Sequence, residues 1–299
     1  SCKEGSTRKE SCSCKESNCF QEHYSQEDYY QEDHRKEIII AQTRSLQGSF
    51  LAAFFIGGRM EFRRIFVTGD PHEEFSHLHE KQKALHMTGE DLLIILGDVG
   101  VNCYNDDRDI RLKEDLSRLA PTVLCLHGNH ERRPTSADIR WHYEPVAWQG
   151  GKAYVERRFP TLIFAEEGER YHIGGRTFRV IGGAYSIDDY FRTLKGHPFY
   201  PDEQLSEEER EEIRNRMEQD GWKEDVILTH TCPYSVRPVE KFVPGIPQEG
   251  VDTSMEDFLE EILRKTSFHQ WFCGHWHVEK TVGNIRFLSH EVVLLEEHP

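Results

Sequence analysis

Residues 61–100 read EFRRIFVTGDPHEEFSHLHEKQKALHMTGEDLLIILGDVG. Two segments rich in apolar residues, Glu61 to Thr68 and Leu92 to Leu96, each lead into Gly-Asp. Between them, Glu73 to Met87 carries Phe75, Leu78 and Leu85 on a polar background and stops at Thr88-Gly89. The continuous run from Leu92 has the length and composition of a buried strand, and the interval before it has helical spacing closed by a glycine. The cycle repeats with a helix from Asp107 to Leu119, Pro121 as terminator, and the strand Thr122-Val123-Leu124-Cys125-Leu126. Two strand-helix-strand units in succession predict parallel pairing in a central sheet.

The second half is richer in strands. Tyr171-His172-Ile173, the turn Gly174-Gly175 and Arg176 to Ile181 predict a hairpin. Further strands are expected at Val226-Ile227-Leu228, Gln270-Trp271-Phe272 and Ile285 to Leu288. Ser206-Glu207-Glu208-Glu209 and Thr253-Ser254-Met255-Glu256 each open a helix with capping-box spacing. No internal repeat is present.

Five short segments end these apolar runs: Gly69-Asp70-Pro71-His72, Gly97-Asp98, Gly128-Asn129-His130-Glu131, Thr229-His230 and Gly274-His275-Trp276-His277. They supply two Asp, one Asn and four His as candidate metal ligands, besides His130. A single Gly-Asp would mean little in a chain with 53 acidic residues and 17 histidines. Five such segments, each at or just past the carboxyl end of a strand, lie where open α/β sheets bind ligands. The glycines permit the sharp turns that aim side chains into one cleft. Mixed oxygen and nitrogen donors of this number suit a two-metal hydrolase using Mn, Fe, Zn or Co; the donors do not choose among these metals, and Mn is taken as the favoured ion.

On these motifs the chain resembles the calcineurin-like metallophosphoesterases, whose pattern is GDxH, GDxx, GNH[DE], a lone His and GHxH; the likeness runs from Met60 to about Leu295. It implies an α/β fold of two packed mixed β-sheets flanked by helices, a four-layer α/β/β/α sandwich. It also implies that Asp70, His72 and His277 hold one metal, that Asn129, His230 and His275 hold the second, and that Asp98 bridges both. His130 matches the family's catalytic histidine. The implied chemistry is in-line attack by a metal-bridging hydroxide on a phosphoester, with His130 as general acid.

Departures from the pattern bear on substrate. Protein phosphatases of this superfamily extend the second motif to GDxVDRG, whereas here it continues Val99-Gly100-Val101-Asn102-Cys103. Without that arginine a dianionic monoester loses a bidentate partner, so a phosphodiesterase is expected ahead of a phosphomonoesterase acting on protein or nucleotide. A noncatalytic scaffold of the same fold is the reading from another class, and retention of all seven ligands and His130 argues against it. Arg132 and Arg133 either replace the missing clamp or form a solvated turn. Gly182-Gly183-Ala184-Tyr185 either lines the cleft or makes a tight turn, and Gly196 to Glu203 is either a substrate lid or a packed connector. His77, His79 and His86 are expected on a helix surface, and the acidic run Glu207 to Glu212 as a solvated helix face.

The 299 residues carry a formal charge of −16, almost all of it beyond residue 59. An acidic body disfavours tight nonspecific binding of nucleic acid, although two divalent cations would bring about +4 to the site. The expected partner is a phosphoester, nucleotides included. Cys103, Cys125, Cys232 and Cys273 are scattered as reduced thiols of a cytoplasmic protein are. Cys2, Cys12, Cys14 and Cys19 lack paired CxxC spacing and are expected to be unstructured thiols rather than a zinc knuckle. Residues 1 to about 36 have almost no aliphatic content and are expected to be disordered. The first methionine is Met60, so residues 1–59 are expected to be an upstream extension of a catalytic domain spanning 60–299. No stretch approaches the length of a membrane span, and no signal peptide is expected.

Overall fold

In β1 (Arg64–Thr68) Ile65 and Val67 join one apolar cluster and Phe66 joins another. The division repeats in β2 (Asp91–Ile95), with Leu92 and Ile94 on one face and Leu93 and Ile95 on the other. Strands buried on both faces need cover on both. Helices α1 (Ser76–Ala84) and α2 (Asp107–Leu116) supply one cover, packing Leu78 and Leu116 with Phe66, Leu93 and Ile95. A second sheet supplies the other, since its Phe178, Val180, Leu228 and Phe272 share the cluster of Ile65 and Val67.

The computed structural model describes residues 60–187, 200–242 and 250–295, and the statements below concern those residues. The expectations for residues 1–59, including the four N-terminal cysteines, lie outside them, as does the stretch from Gly196 to Phe199.

The first sheet adds β3 (Thr122–Cys125), β4 (Glu144–Trp148), β5 (Gly151–Val155), β6 (Leu162–Ala165) and β13 (Val293–Leu294), in the order β13-β1-β2-β3-β6-β5-β4. Its centre, β1-β2-β3-β6, is parallel as the strand-helix-strand pattern predicts, and β13, β5 and β4 attach antiparallel. The second sheet contains β7 (Arg170–Ile173), β8 (Arg176–Ile181), β9 (Val226–Thr229), β10 (Gln270–Cys273), β11 (Lys280–Val282) and β12 (Ile285–Phe287), in the order β11-β12-β10-β9-β8-β7. The predicted hairpin is β7–β8, and β8, β9, β10 and β12 run parallel. Its outer face is covered by α3 (Glu207–Gln219) and α4 (Ser254–Lys265), which bring Met217, Phe258, Leu259 and Ile262 onto Ile227, Trp271 and Phe287. Helices, sheet, sheet and helices make the expected four-layer α/β sandwich.

Local chemistry adjusts the boundaries. The capping box at Ser206 forms in both directions, with the Glu209 amide donating to Oγ and the Ser206 amide donating to the Glu209 carboxylate. Thr253 caps no amide; its hydroxyl donates to Asp257 instead. Helix α1 ends at Ala84, short of the predicted Met87, because the chain turns at Leu85 and enters the left-handed region at His86. Among the described residues no helix is long and apolar enough to cross a membrane.

Candidate metal centre

Because β1, β2 and β3 are parallel, their carboxyl ends deliver Asp70, Asp98 and Asn129 to one edge of the first sheet. The parallel pair β9 and β10 delivers His230, His275 and His277 in the same way. The side chains form two groups. In the first, the Nε2 atoms of His72 and His277 are 2.8 Å apart, and His72 Nε2 is 3.6 Å from Asp98 Oδ2. In the second, Asn129 Oδ1 lies 2.8 Å from His230 Nε2 and 3.0 Å from His275 Nδ1, and His230 Nε2 is 3.5 Å from Asp98 Oδ2. One oxygen of Asp98 therefore neighbours a histidine of each group. Asp70 is fully buried beside His230, 3.5 Å from its Nδ1, and accepts the His275 amide at 3.0 and 2.9 Å. Ligand atoms of Asp70, Asp98 and His230 all lie within 4.8 Å of one another.

The donor set fits cations. His230 Nδ1 donates to the Leu96 carbonyl at 2.7 Å, which leaves Nε2 to present a lone pair when the ring is neutral. Asn129 Nδ2 donates to Ser186 Oγ at 2.8 Å, so Oδ1 is the atom turned toward the histidines. Neutral His230 would thus place three acceptors, Nε2, Asn129 Oδ1 and Asp98 Oδ2, against one another with no donor between them. The titration behaviour reflects this surplus. Burial would lower the His230 imidazole, but the charges of Asp98 and Asp70 lift it to about 9, and burial pushes Asp70 up to about 8. Burial opposes ionisation of Asp98 as well, yet His230 and His72 hold it at about 2. His275 and His277 are lowered, first by burial, and so are kept neutral as ligands must be.

The backbone at the site is unusual. His72, Asp98, His275 and His277 have φ of 44°, 47°, 66° and 49°, a left-handed conformation that costs a non-glycine residue about 1 to 3 kcal/mol. Two of the motif glycines serve close approach rather than turning: a Cβ on Gly128 would collide with the Asp98 carboxylate, and one on Gly274 with that of Asp70.

Glu131 has a part beyond membership of the third segment. Its buried carboxylate accepts the amides of Val99 at 3.2 Å, Gly100 at 2.9 Å and Gly128 at 3.2 Å, clamping the loops that carry Asp98 and Asn129. Burial, with Asp98 adding, pushes it up to about 7. Its position directly after Asn-His is the signal that could have identified it. His130, a quarter exposed, has Nε2 3.9 Å from Asp98 Oδ2 and donates its amide to Asp98 Oδ1 at 2.8 Å.

Arg132 bonds Asp138 and the Cys103 carbonyl, and Arg133 is buried against Glu209 and the Gln204 carbonyl, so both are tethered internally and do not form a solvated turn. Val101 is packed in the core, and Asn102 is buried with its Oδ1 accepting the Tyr143 hydroxyl. Gly183 turns at φ 80° and the segment beyond it lines the cleft with Tyr185, Ser186 and Ile187, so both readings of that segment hold. The described part of the suspected lid is a connector: Tyr200 is buried with its hydroxyl on the Cys103 carbonyl, and Asp202 accepts from Ser136. His77 and His79 are half-buried and His86 is exposed; the His77 ring meets that of His290, and His79 Nε2 lies 3.3 Å from Asp115. The acidic run pairs with Arg210 and Arg214 on the surface of α3. Cys103, Cys125, Cys232 and Cys273 are free and buried.

The cleft beside the ligands has a volume of about 330 Å³. Asp98, Asn129, His130, His275 and His277 line part of it, and Arg237, Lys241, Phe242 and Trp276 line another part. Sequence reasoning missed Arg237, Lys241 and Phe242, which follow β9 without any motif spacing.

Residues 63–279 match the family model described as calcineurin-like phosphoesterase. Among curated proteins no sequence matches the chain. Among solved structures, TT1561 of Thermus thermophilus is similar at 12% identity with a TM-score of 0.44, over 78% of this chain and 98% of its own. AQ665 of Aquifex aeolicus, a protein of unknown function, is similar at 10% identity with a TM-score of 0.30, over 58% of this chain and 81% of its own.

Proposed function

The chain belongs to the calcineurin-like phosphoesterase family and is a metal-dependent phosphoester hydrolase; from that premise we propose that it cleaves phosphodiesters, with two divalent cations of which manganese is favoured. We assign Asp70, His72 and His277 to one cation, Asn129, His230 and His275 to the other, and Asp98 to both. When bound, the cations would lower the pKa of water and neutralise charge growing on the phosphoryl oxygens. The observation that carries the reading is the pair of converging acceptor groups, His72 with His277 and Asn129 with His230 and His275, each within 3.6 Å of Asp98 Oδ2 through a histidine nitrogen.

The protein's own groups supply the rest. His130 is open to the cleft and is held by its amide bond to Asp98, which suits it to give a proton to the leaving oxygen as the ester bond breaks. Glu131 fixes the loops bearing Asp98 and Asn129, and Ser186 fixes the amide of Asn129. The diester preference is supported by Val101 and Asn102, which occupy the positions of the phosphatase Asp and Arg, and by the internal bonds of Arg132 and Arg133. One observation favours a monoesterase instead: Arg237 lines the cleft. The four buried free thiols support a cytoplasmic setting.

Hydrolysis of bis-p-nitrophenyl phosphate against p-nitrophenyl phosphate with Mn²⁺ tests the reading. A higher kcat/KM for the diester is expected, and a strong monoester preference would overturn it. Failure to turn over either ester, with metals bound, would favour the noncatalytic scaffold.

A further inference from the structure

A row of stacked groups runs from the ligand cluster into the cleft. The Trp276 ring meets the His275 ring edge to face at 5.3 Å, and its Nε1 donates to Thr231 Oγ1 at 3.2 Å, which anchors the indole. Phe242 stacks on Trp276 with centroids 5.8 Å apart and planes 21° from parallel. The Arg237 guanidinium lies 5.6 Å from the Phe242 centroid and 3.5 Å from that of Tyr234. Arg237 Nε donates to the Tyr234 carbonyl at 3.2 Å, so the planar cation is held in place by bond and stack.

Two properties of this row call for a ligand. Most arginines of the described chain touch a carboxylate, whereas Arg237 and Lys241 make no ion-pair contact among the described residues, although the Arg237 charge acts on Glu256 and that of Lys241 on Glu240, and Asp252 and Glu256 line the same cleft. The aromatic side chains beside them are half-buried, Trp276 packing against the core under the second sheet's outer helices, and both also line the cleft. Neither feature is needed to hold cations or to protonate a leaving group.

We propose that this wall is a nucleotide subsite, in which the base stacks on the Phe242–Trp276 face while Arg237 and Lys241 hold a phosphate beyond the reacting one. The inference rests on the hydrolase reading only in taking the reacting phosphate to lie at Asp98 and His130. Stacking of a base on an aromatic side chain contributes on the order of 10- to 100-fold in affinity. Paired with a guanidinium and an ammonium, it selects polyanionic aromatic ligands that the acidic body would otherwise repel.

Calorimetric titration of the Mn-loaded protein with ribose 5-phosphate, AMP and ADP tests this. AMP is expected to bind at least about tenfold tighter than ribose 5-phosphate, and Phe242→Ala to bring the two within about twofold. Phe242→Leu, which keeps the bulk and removes the π-face, is expected to do the same. ADP is expected to gain about fivefold over AMP, and the gain to vanish in Lys241→Gln, where the substituted side chain is exposed. Equal binding of AMP and ribose 5-phosphate by the wild type, or no gain for ADP, would overturn the subsite. A protein that hydrolyses p-nitrophenyl esters without preferring AMP loses the subsite alone, and one that prefers AMP without hydrolysing any ester loses the hydrolase reading alone.

Discussion

The Nε2 atoms of His72 and His277 face each other at 2.8 Å, although 205 positions separate them in the chain. One comes from the loop after β1 in the first sheet and the other from the loop after β10 in the second. A hydrogen bond between them requires one ring to keep its proton on Nε2, whereas a cation held by both histidines would take the lone pairs of both. On the proposed assignment cation and proton would compete here, and likewise at Asp70 and His230.

That competition has a direction in pH. His230 is raised from 6.5 to about 9, so its protonated form stabilises the metal-free fold below about pH 6.5 and that contribution is lost as pH rises through 9. Asp70 is raised from 3.8 to about 8, so its forced ionisation also costs stability as pH climbs toward 8. Asp98, lowered to about 2, adds stability above 3.8 that is lost only in strong acid. The chelator-treated protein is expected to melt at progressively lower temperature from pH 6.5 to 9.5, and the Mn-loaded protein to change less. A melting temperature that rises over this range without metal would contradict the assignment.

Metal affinity should follow the same protons. Each proton displaced on binding tightens the apparent Kd about tenfold per pH unit until the group has lost its proton in the metal-free state. Calorimetric Mn²⁺ titrations between pH 6 and 9 are expected to show this rise together with proton release into the buffer, and a pH-independent Kd would refute it.

His130→Ala should retain both cations and lose roughly 10²- to 10⁴-fold in turnover. If metal analysis found the variant empty, His130 would be a ligand and not the acid.

Glu131→Ala removes an acceptor shared by three buried amides, at about 1 to 3 kcal/mol for the groups left unpaired. Because those amides belong to the loops of Asp98 and Asn129, Mn²⁺ affinity is expected to fall about 10- to 100-fold. An unchanged Kd would reduce Glu131 to a purely structural buried acid.

Arg132→Ala is expected to leave KM for phosphoesters within about twofold, since its guanidinium is engaged by Asp138 and the Cys103 carbonyl. A large rise in KM would restore it as a phosphate clamp.

The candidate ligands that the fold brings together were legible because metal chemistry restricts such side chains to few residue types, and because short parallel strands announce their own ends, as Leu92 to Leu96 does before Asp98. Features built from tertiary contact were not. Strand β4 carries Pro145 and alternates half-buried with exposed positions at the sheet edge, so its pattern resembles a loop until β5 pairs with it. Arg132 and Arg133 look available in sequence, and only folding supplies Asp138 and Glu209 to occupy them. The wall of Arg237, Phe242 and Trp276 joins residues from two loops and has no spacing to read.

The central claim is that two cations share Asp98, and metal content measures it. After Mn²⁺ loading and removal of free ion, elemental analysis is predicted to find about two Mn per wild-type chain and fewer than about one in Asp98→Asn, with the variant inactive toward bis-p-nitrophenyl phosphate. Two tightly held Mn and full turnover in Asp98→Asn would contradict it.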